Sequence, residues 1–256
     1  MNRTSFDPEK PQRMRESGKR LAQVKQTLID AVVPGISFEE LEALAQSSIK
    51  ALGSTPSFMT HPGYKYATCI TKNEGCCHGV PVGHVVNEGD IITIDVGLVY
   101  NGYHTDTSYT VYAGDPSKMS PKIKRFLQVG KDALDAAIDK ARFGNSVYDI
   151  SCAIQDTIEA AGYGAVYQLT GHGIGKSLHE DPAIPCVAYS QDKREKLKIG
   201  QTIAIEPMYA MGNPFLILGK DGWTYQTKDK SLTGMFEDTV LITEHGPEIL
   251  TRAVAV

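Results

Sequence analysis

GISFEELEALAQSSIKALG, residues Gly35 to Gly53, decides the fold once it is set beside GNSVYDISCAIQDTIEAAG, residues Gly144 to Gly162. The two stretches have the same length. Glycine stands at both ends of each, and Ser37/Ser146, Gln46/Gln155, Ile49/Ile158 and Ala51/Ala160 match between them. Each reads as a helix. Ser37 and Ser146 take the N-cap, with Glu40 and Asp149 three residues on in capping-box position, where aspartate is the weaker choice. Leu41, Leu44, Ala45 and Ile49 recur at helical spacing. Gly53 and Gly162 stand where a helix ends in a left-handed turn. An earlier helical stretch precedes each segment, over roughly 12–32 and 121–141.

The parallel continues into strands. GDIITID (Gly89 to Asp95) aligns with GQTIAIE (Gly200 to Glu206). In both, a turn glycine leads into a β-branched run that ends in a carboxylate. The chain therefore reads as an α+β protein of two similar halves, about 11–115 and 120–250, in a single domain 11–256 behind a tail 1–10. Each half is a helix pair plus antiparallel strands, and the carboxylates meet where the halves join. Glycine punctuation can coincide by chance. Two correspondences in the same order make chance the weaker explanation.

Composition sets outer bounds. The chain has 256 residues, a net charge of −4, 41% hydrophobic and 22% charged residues, which suits a globular protein with a sizeable core. That balance argues against a broad nucleic-acid-binding surface. Arg13, Arg15, Lys19 and Arg20 cluster, but a solvated helix face accounts for them. No apolar run is long enough to span a bilayer, and the first twenty residues lack the apolar stretch of a signal peptide. Five cysteines with no CxxC pair point to reduced thiols in the cytosol rather than to a sulfur-bound zinc.

Four carboxylates stand in strand contexts, where an unpaired charge is costly to desolvate. Asp95 lies in IITIDVGLVY, Asp106 in the strand after a turn at Asn101-Gly102, Glu206 at the end of IAIE, and Glu237 in GMFEDTVLIT. Any one alone could be a strand-end residue facing solvent. All four together call for cations. His172 and His179 lie in LTGHGIGKSLHEDP, where Gly171, Gly173 and Gly175 would let the backbone turn sharply around His172. His78, in NEGCCHGVP, is a third candidate. His61, His84, His104 and His245 read as surface or turn histidines. GHGIG lacks the spacing and context of a dinucleotide loop, and HEDPA is not HExxH. Three or four carboxylates with one imidazole suit two hard or borderline divalent ions. Such ions about 3.5–4 Å apart share a water of lowered pKa, which points to hydrolysis. The absence of GxSxG argues against a serine hydrolase.

NEGCCHGVP, EGDIITIDVGLVYNGYHTDTSYTV, GHGIGKSLHEDP, TIAIEPM and KDGWTYQTKDKSLTGMFEDTVLIT together resemble the type I methionine aminopeptidases, from about Arg13 to Thr251. The resemblance implies the pita-bread fold, with its pseudo-twofold halves and antiparallel sheet covered by helices. It implies removal of the initiator methionine from nascent proteins, by attack of a metal-bridging water or hydroxide on the first peptide bond. Asp106 and Glu237 would bridge two ions, Asp95 would chelate the second, and His172 and Glu206 would complete the first. Glu206 would also accept the proton. His78 would contact the scissile nitrogen, and His179 the carbonyl oxygen and its developing charge. The substrate's α-amine would bind the second ion. The methionine pocket would involve Cys69, Tyr64 or Tyr66, and Trp223, since sulfur-aromatic contact favours methionine. Three departures from the family fall near it. The loop Gly63–Cys69 is short, Leu178 stands where an aromatic residue is common, and Gly75-Cys76 replaces an apolar pair.

Prolidase and aminopeptidase P share this fold and metal set, but normally carry a large N-terminal domain, for which the stretch before His78 is short. Relatives that bind ribosomes or RNA without catalysis usually lose metal ligands, and all five are present here. The expected partners are thus N-termini of nascent polypeptides, with contact to the ribosome near the exit tunnel left open. No membrane and no specific nucleic acid are expected. The expected state is a cytoplasmic monomer, with cobalt, manganese, iron or zinc all compatible with the ligands.

Overall fold

The computed structural model describes residues 7–252. Of the tail 1–10, residues 1–6 lie outside the described residues, and Lys10 already opens the first helix. Four helices form two pairs: α1 (Lys10–Ala31) with α2 (Phe38–Ala51), and α3 (Pro121–Lys140) with α4 (Val147–Ala160). The capping boxes form as the sequence suggests. Ser37 N–H donates to the Glu40 carboxylate at 2.8 Å and Glu40 N–H donates to Ser37 Oγ at 3.2 Å. Ser146 N–H reaches the shorter Asp149 at 2.7 Å, so aspartate suffices there. Gly53 and Gly162, at φ of 66° and 84°, close α2 and α4 in the left-handed region.

The two halves repeat small details of geometry. Ser37 forms an isolated bridge with Val85, and Ser146 forms the equivalent bridge with Lys196. Phe38 N–H donates to His84 O at 2.9 Å, and Val147 N–H to Glu195 O at 3.0 Å. In each half, the loop ahead of a central strand thus holds the start of the second helix.

The first half centres on the hairpin Ile91–Tyr100 and Tyr103–Tyr112, turned at Asn101 and Gly102 with φ of 49° and 75°. Two successive left-handed residues give the twist that a two-residue hairpin turn needs. Thr68–Lys72 pairs on the other side of Ile91–Tyr100. Alternation sorts this central strand. Ile92, Ile94, Val96 and Leu98 pack with Leu21, Leu28, Leu41 and Ile49 of α1 and α2. Each such buried side chain contributes about 1.5–3 kcal/mol by leaving water. Asp95 and Gly97 have the other parity. The run does not end at Asp95, as its sequence suggested. The strand continues to Tyr100 because the turn comes later, and Asp95 sits within it, on the face away from the helices.

The second half mirrors this with a five-stranded sheet in the order Gly246–Ile249, Asp238–Thr243, Thr202–Ile205, Thr170–Gly173, Glu180–Pro185. Ile203, Ile205, Val240 and Ile242 pack with Phe126, Leu134, Ile150 and Ile154 of α3 and α4. Glu206 follows directly after its strand, in line with the expected pattern. No helix of the described residues is long and apolar enough to cross a membrane.

Candidate metal centre

The halves are sewn together at the carboxylates. Thr239 Oγ1 accepts from Asp106 N–H at 3.0 Å and donates to Asp106 O at 2.8 Å. Thr107 Oγ1 donates to Glu237 O at 2.7 Å, and Glu237 N–H donates to Ser108 O at 3.0 Å. Behind this seam Lys25 of α1 holds Thr107 Oγ1 at 2.9 Å and Asp238 at 3.1 Å. Buried threonines satisfy the backbone where two sheets meet, which fixes the acidic side chains without using them.

Asp106, His172 and Glu237 are buried, and each offers a ligand atom within 4.8 Å of the others. His172 Nε2 lies 3.9 Å from Asp106 Oδ2 and 3.9 Å from Glu206 Oε1. His172 Nδ1 lies 2.9 Å from Gly173 O. A carbonyl can only accept, so Nδ1 carries the proton and the Nε2 lone pair faces the carboxylates. This is how a ligating histidine is set. Asp95 is buried beside Asp106, and its Oδ1 has no hydrogen-bond partner.

The glycines around His172 do a different job from the one their sequence suggested. Thr170–Gly173 is a strand, and none of Gly171, Gly173 and Gly175 takes a positive φ. They allow close packing instead. A Cβ on Gly171 would stand 2.5 Å from Ala204 O, and one on Gly173 would stand 2.2 Å from Asp181 O. His172 therefore lies flush against the strand that leads to Glu206.

Burial and mutual repulsion disfavour the ionised forms of these acids. Burial pushes the Asp106 carboxyl up to about 7. Burial, then the neighbouring Asp106 and Glu206 charges, raises Asp95 and Glu237 well above the carboxylate range, and burial with Asp106 and Cys76 does the same to Glu206. Burial, with His179 next to it, lowers His172 to about 4, so its imidazole stays neutral. Among the described residues, no lysine or arginine pairs with these four acids. Hard oxygen donors plus one neutral imidazole nitrogen fit divalent metal ions, whose charge would restore the ionised acids.

Beside the acids lies an apolar cavity of about 80 Å³, lined by Phe58, His61, Tyr64, Cys69, His78, Leu178, His179 and Trp223. The structure thus brings together most of the residues that the sequence nominated. Tyr64 lines the cavity and packs edge-on against Trp223, with centroids 5.0 Å apart. Tyr66 lies behind it, 5.6 Å from the Tyr64 ring, and does not line the cavity. Cys69 Sγ meets Tyr64 Oη at 3.3 Å, and burial keeps the thiol protonated. His179 stands edge-on to His172 at 4.5 Å, so the cavity abuts the acids. His78 takes a left-handed φ of 54°, which non-glycine residues rarely adopt and which occurs at functional sites. Its ring opens into the cavity and meets Tyr225 edge-on at 5.8 Å. Burial lowers the pKa of both His78 and His179.

His61 is exposed, in line with its reading as a surface or turn residue, and it also lines the cavity, where it meets Trp223 edge-on at 5.9 Å. His104, read the same way, was misjudged, since it is 7% exposed and hydrogen-bonded to Ser57. Strand periodicity could have found His104, since it shares a face with Asp106 two residues on. Phe58 and His61 come from a short 3-10 turn, which leaves no periodic signal. His84 and His245 are exposed, as their contexts suggest.

A family model described as Metallopeptidase family M24 matches residues 12–244. The methionine aminopeptidase of Clostridium acetobutylicum is 39% identical over 240 residues, covering 93% of this chain and 94% of that protein. The crystal structure of methionine aminopeptidase from Thermotoga maritima superposes with a TM-score of 0.92 at 37% identity, covering 97% of this chain and 98% of that one. Prolidase from Pyrococcus furiosus is more distant. It gives a TM-score of 0.76 at 25% identity, covering 97% of this chain but 65% of the prolidase.

Proposed function

The chain belongs to metallopeptidase family M24, and from that premise we infer that it is a methionine aminopeptidase, which removes the initiator methionine from protein N-termini. Its fold is the α+β pita-bread fold of that family. The observation that carries the functional reading is adjacency. A buried set of divalent-metal donors abuts an apolar cavity bearing a thiol, an indole and three histidines.

We read residues 11–256 as one catalytic domain of two pseudo-symmetric halves. In this reading, Asp106 and Glu237 would serve both of two divalent ions, Asp95 one of them, and His172 and Glu206 the other. Cobalt, manganese, iron or zinc would suit these donors. When bound, the metal supplies Lewis acidity and a water of lowered pKa. Glu206 would hold the proton released in the hydrolysis, a task suited to a half-buried carboxyl whose pKa is raised. His179 stays neutral at pH 7 and donates a hydrogen bond to the substrate carbonyl oxygen, where negative charge develops. His78 contacts the nitrogen that leaves. Cys69, Tyr64, Leu178 and Trp223 receive the methionine side chain by sulfur-aromatic and apolar contact, with Tyr66 supporting Tyr64 from behind. The natural substrates are N-termini of nascent polypeptides. The enzyme works in the cytoplasm as a monomer that needs no membrane or specific nucleic acid, and it meets chains as they leave the ribosome.

The test is release of methionine from Met-Ala-Ser by metal-stripped protein, with cobalt, manganese or ferrous ions added back singly and Ala-Pro-Ala as control. Metal-dependent release with an untouched control is the expected outcome. Cleavage of Ala-Pro-Ala alone would transfer the chain to the proline-specific branch. Folded protein that cleaves neither peptide with any ion would favour a non-catalytic binding role.

A further inference from the structure

We propose that His104 is a positioning residue that ties the wall of the first-residue pocket to the hairpin bearing Asp95 and Asp106, so that selectivity for the first side chain depends on it. The proposal rests on the aminopeptidase reading above.

His104 belongs to the same strand face as Asp106, yet it is no part of the donor cluster. Its side chain bonds elsewhere. Nδ1 lies 2.6 Å from Ser57 Oγ, and this is the one side-chain hydrogen bond of that hydroxyl among the described residues. Its backbone N–H donates to Gly175 O at 2.8 Å, in the loop that leads to Leu178 and His179. One residue thus touches the metal-bearing hairpin, the His179 loop and the segment opening at Ser57.

That segment is the pocket wall. Ser57 is fully buried, and its N–H donates to Gly97 O at 2.9 Å. Gly97 pairs with Asp106 across the hairpin. A Cβ on Gly97 would come within 2.9 Å of both the Phe58 ring and Ser57 Cβ, so the glycine lets the wall lie directly on the strand. Ser57 O accepts from Thr60 N–H at 3.0 Å and Thr60 Oγ1 at 2.7 Å, which closes the turn Phe58–Thr60. Phe58, at the start of this turn, and His61, directly after it, both line the cavity, and His61 meets Trp223. A shift at Ser57 therefore moves Phe58 and His61 together. It leaves the Asp106–Thr239 and Glu237–Ser108 bonds of the metal seam in place. Removing the imidazole would strand a buried hydroxyl, and the wall would move to satisfy it.

The experiment compares wild type with His104→Ala, His104→Asn, Ser57→Ala and the double alanine variant. It reads kcat and KM on Met-Ala-Ser and Leu-Ala-Ser, bound cobalt, and the fluorescence of Trp223, the single tryptophan of the chain. For His104→Ala, KM on the methionine peptide should rise about tenfold and the preference over leucine should narrow. Its kcat should stay within about twofold and its bound cobalt should not change, since misplacement of a positioning wall acts on binding first. Trp223 emission should shift to the red. An asparagine side chain can still reach Ser57, so His104→Asn should recover most of the loss. The double variant should be no worse than the single ones, as expected for two ends of one link.

Loss of cobalt together with kcat at unchanged KM would overturn the proposal and assign His104 to the metal centre. Unchanged KM with unchanged Trp223 emission would overturn it as well, as would additive effects in the double variant. If His104→Ala does not fold, Ser57→Ala carries the same test with only a hydroxyl removed. The fluorescence arm needs no turnover. Failure of the aminopeptidase reading would instead appear as a wild type that releases no methionine.

Discussion

Asp106 stands on a strand, and Glu237 directly ahead of one, that the chain has made twice, whereas Phe58, His61 and Trp223 stand on segments that it has made once. In the first half a two-residue turn joins the central hairpin. In the second half the matching connection becomes an excursion from Met208 to Met235, and the hairpin Leu216–Leu218 with Tyr225–Thr227 frames Trp223. The 3-10 turn Phe58–Thr60 likewise has no counterpart in the short link from α4 to Thr170. The metal centre thus inherits its geometry from the repeat and shares its hydrogen bonds across both halves. Phe58, His61 and Trp223 bring to the pocket segments that have no counterpart in the other half. Such a division allows selectivity to change while the chemistry stays fixed.

The sharpest way to break this comparison is Asp106→Asn. Loss of one donor to a shared centre should lower kcat/KM by more than about 100-fold, with metal lost in parallel by elemental analysis. Retained metal and activity would mean that the centre is not shared. His179→Ala should cost about 10²–10³ in kcat/KM while metal content holds, because it removes one hydrogen-bond donor to the developing charge. Trp223→Ala probes the other region. It should raise KM about tenfold, the loss of one well-placed aromatic contact, with a smaller change in kcat. A proportionate fall in kcat and metal content would show that pocket and centre are one unit.

The smallest effect lies in pH dependence without metal. Asp106, at about 7 in the folded protein against 3.8 unfolded, binds a proton in the folded state across that window. Asp95, Glu206 and Glu237 are shifted the same way. For them the folded state holds more protons, so stability falls as pH rises. His172 has the opposite sign. Its value is about 4 folded against 6.5 unfolded, so it costs stability as pH drops through that interval. Burial lowers His78, His104 and His179 in the same sense. Unfolded acids are ionised throughout the range from pH 5.5 to 7.5, whereas unfolded histidines are charged only in its lower part, so the four acids outweigh the four imidazoles. Metal-stripped protein should therefore melt a few degrees higher at pH 5.5 than at 7.5 by calorimetry, and added divalent metal should erase or reverse that order. A stripped protein more stable at pH 7.5 would mean that another cation already neutralises the acids.

Much of the centre was legible in the sequence because charge among β-branched residues is anomalous, and the anomaly recurs at Asp95, Asp106, Glu206 and Glu237. The helix pairs were legible from caps and glycines, which act locally. Asp95 was placed at a strand end because a carboxylate normally stops a buried run, and only the sheet reveals that its face opens onto the centre. Gly171 and Gly173 were misread because glycine signals either a turn or a close approach, and the sequence does not distinguish them. Phe58, His61 and the buried His104 stayed hidden for a related reason. Their roles come from contacts across the chain, between Ser57 and His104 or between His61 and Trp223, with no spacing to announce them.

The central claim is that a metal held jointly by the two halves serves an aminopeptidase pocket beside it. The most direct measurement titrates metal-stripped protein with cobalt and follows free methionine from Met-Ala-Ser at each addition, alongside bound cobalt. The account predicts no release before metal is bound, release that grows with occupancy, and saturation by two ions per chain. Full cobalt binding without methionine release, or release by protein that holds no metal, would contradict it.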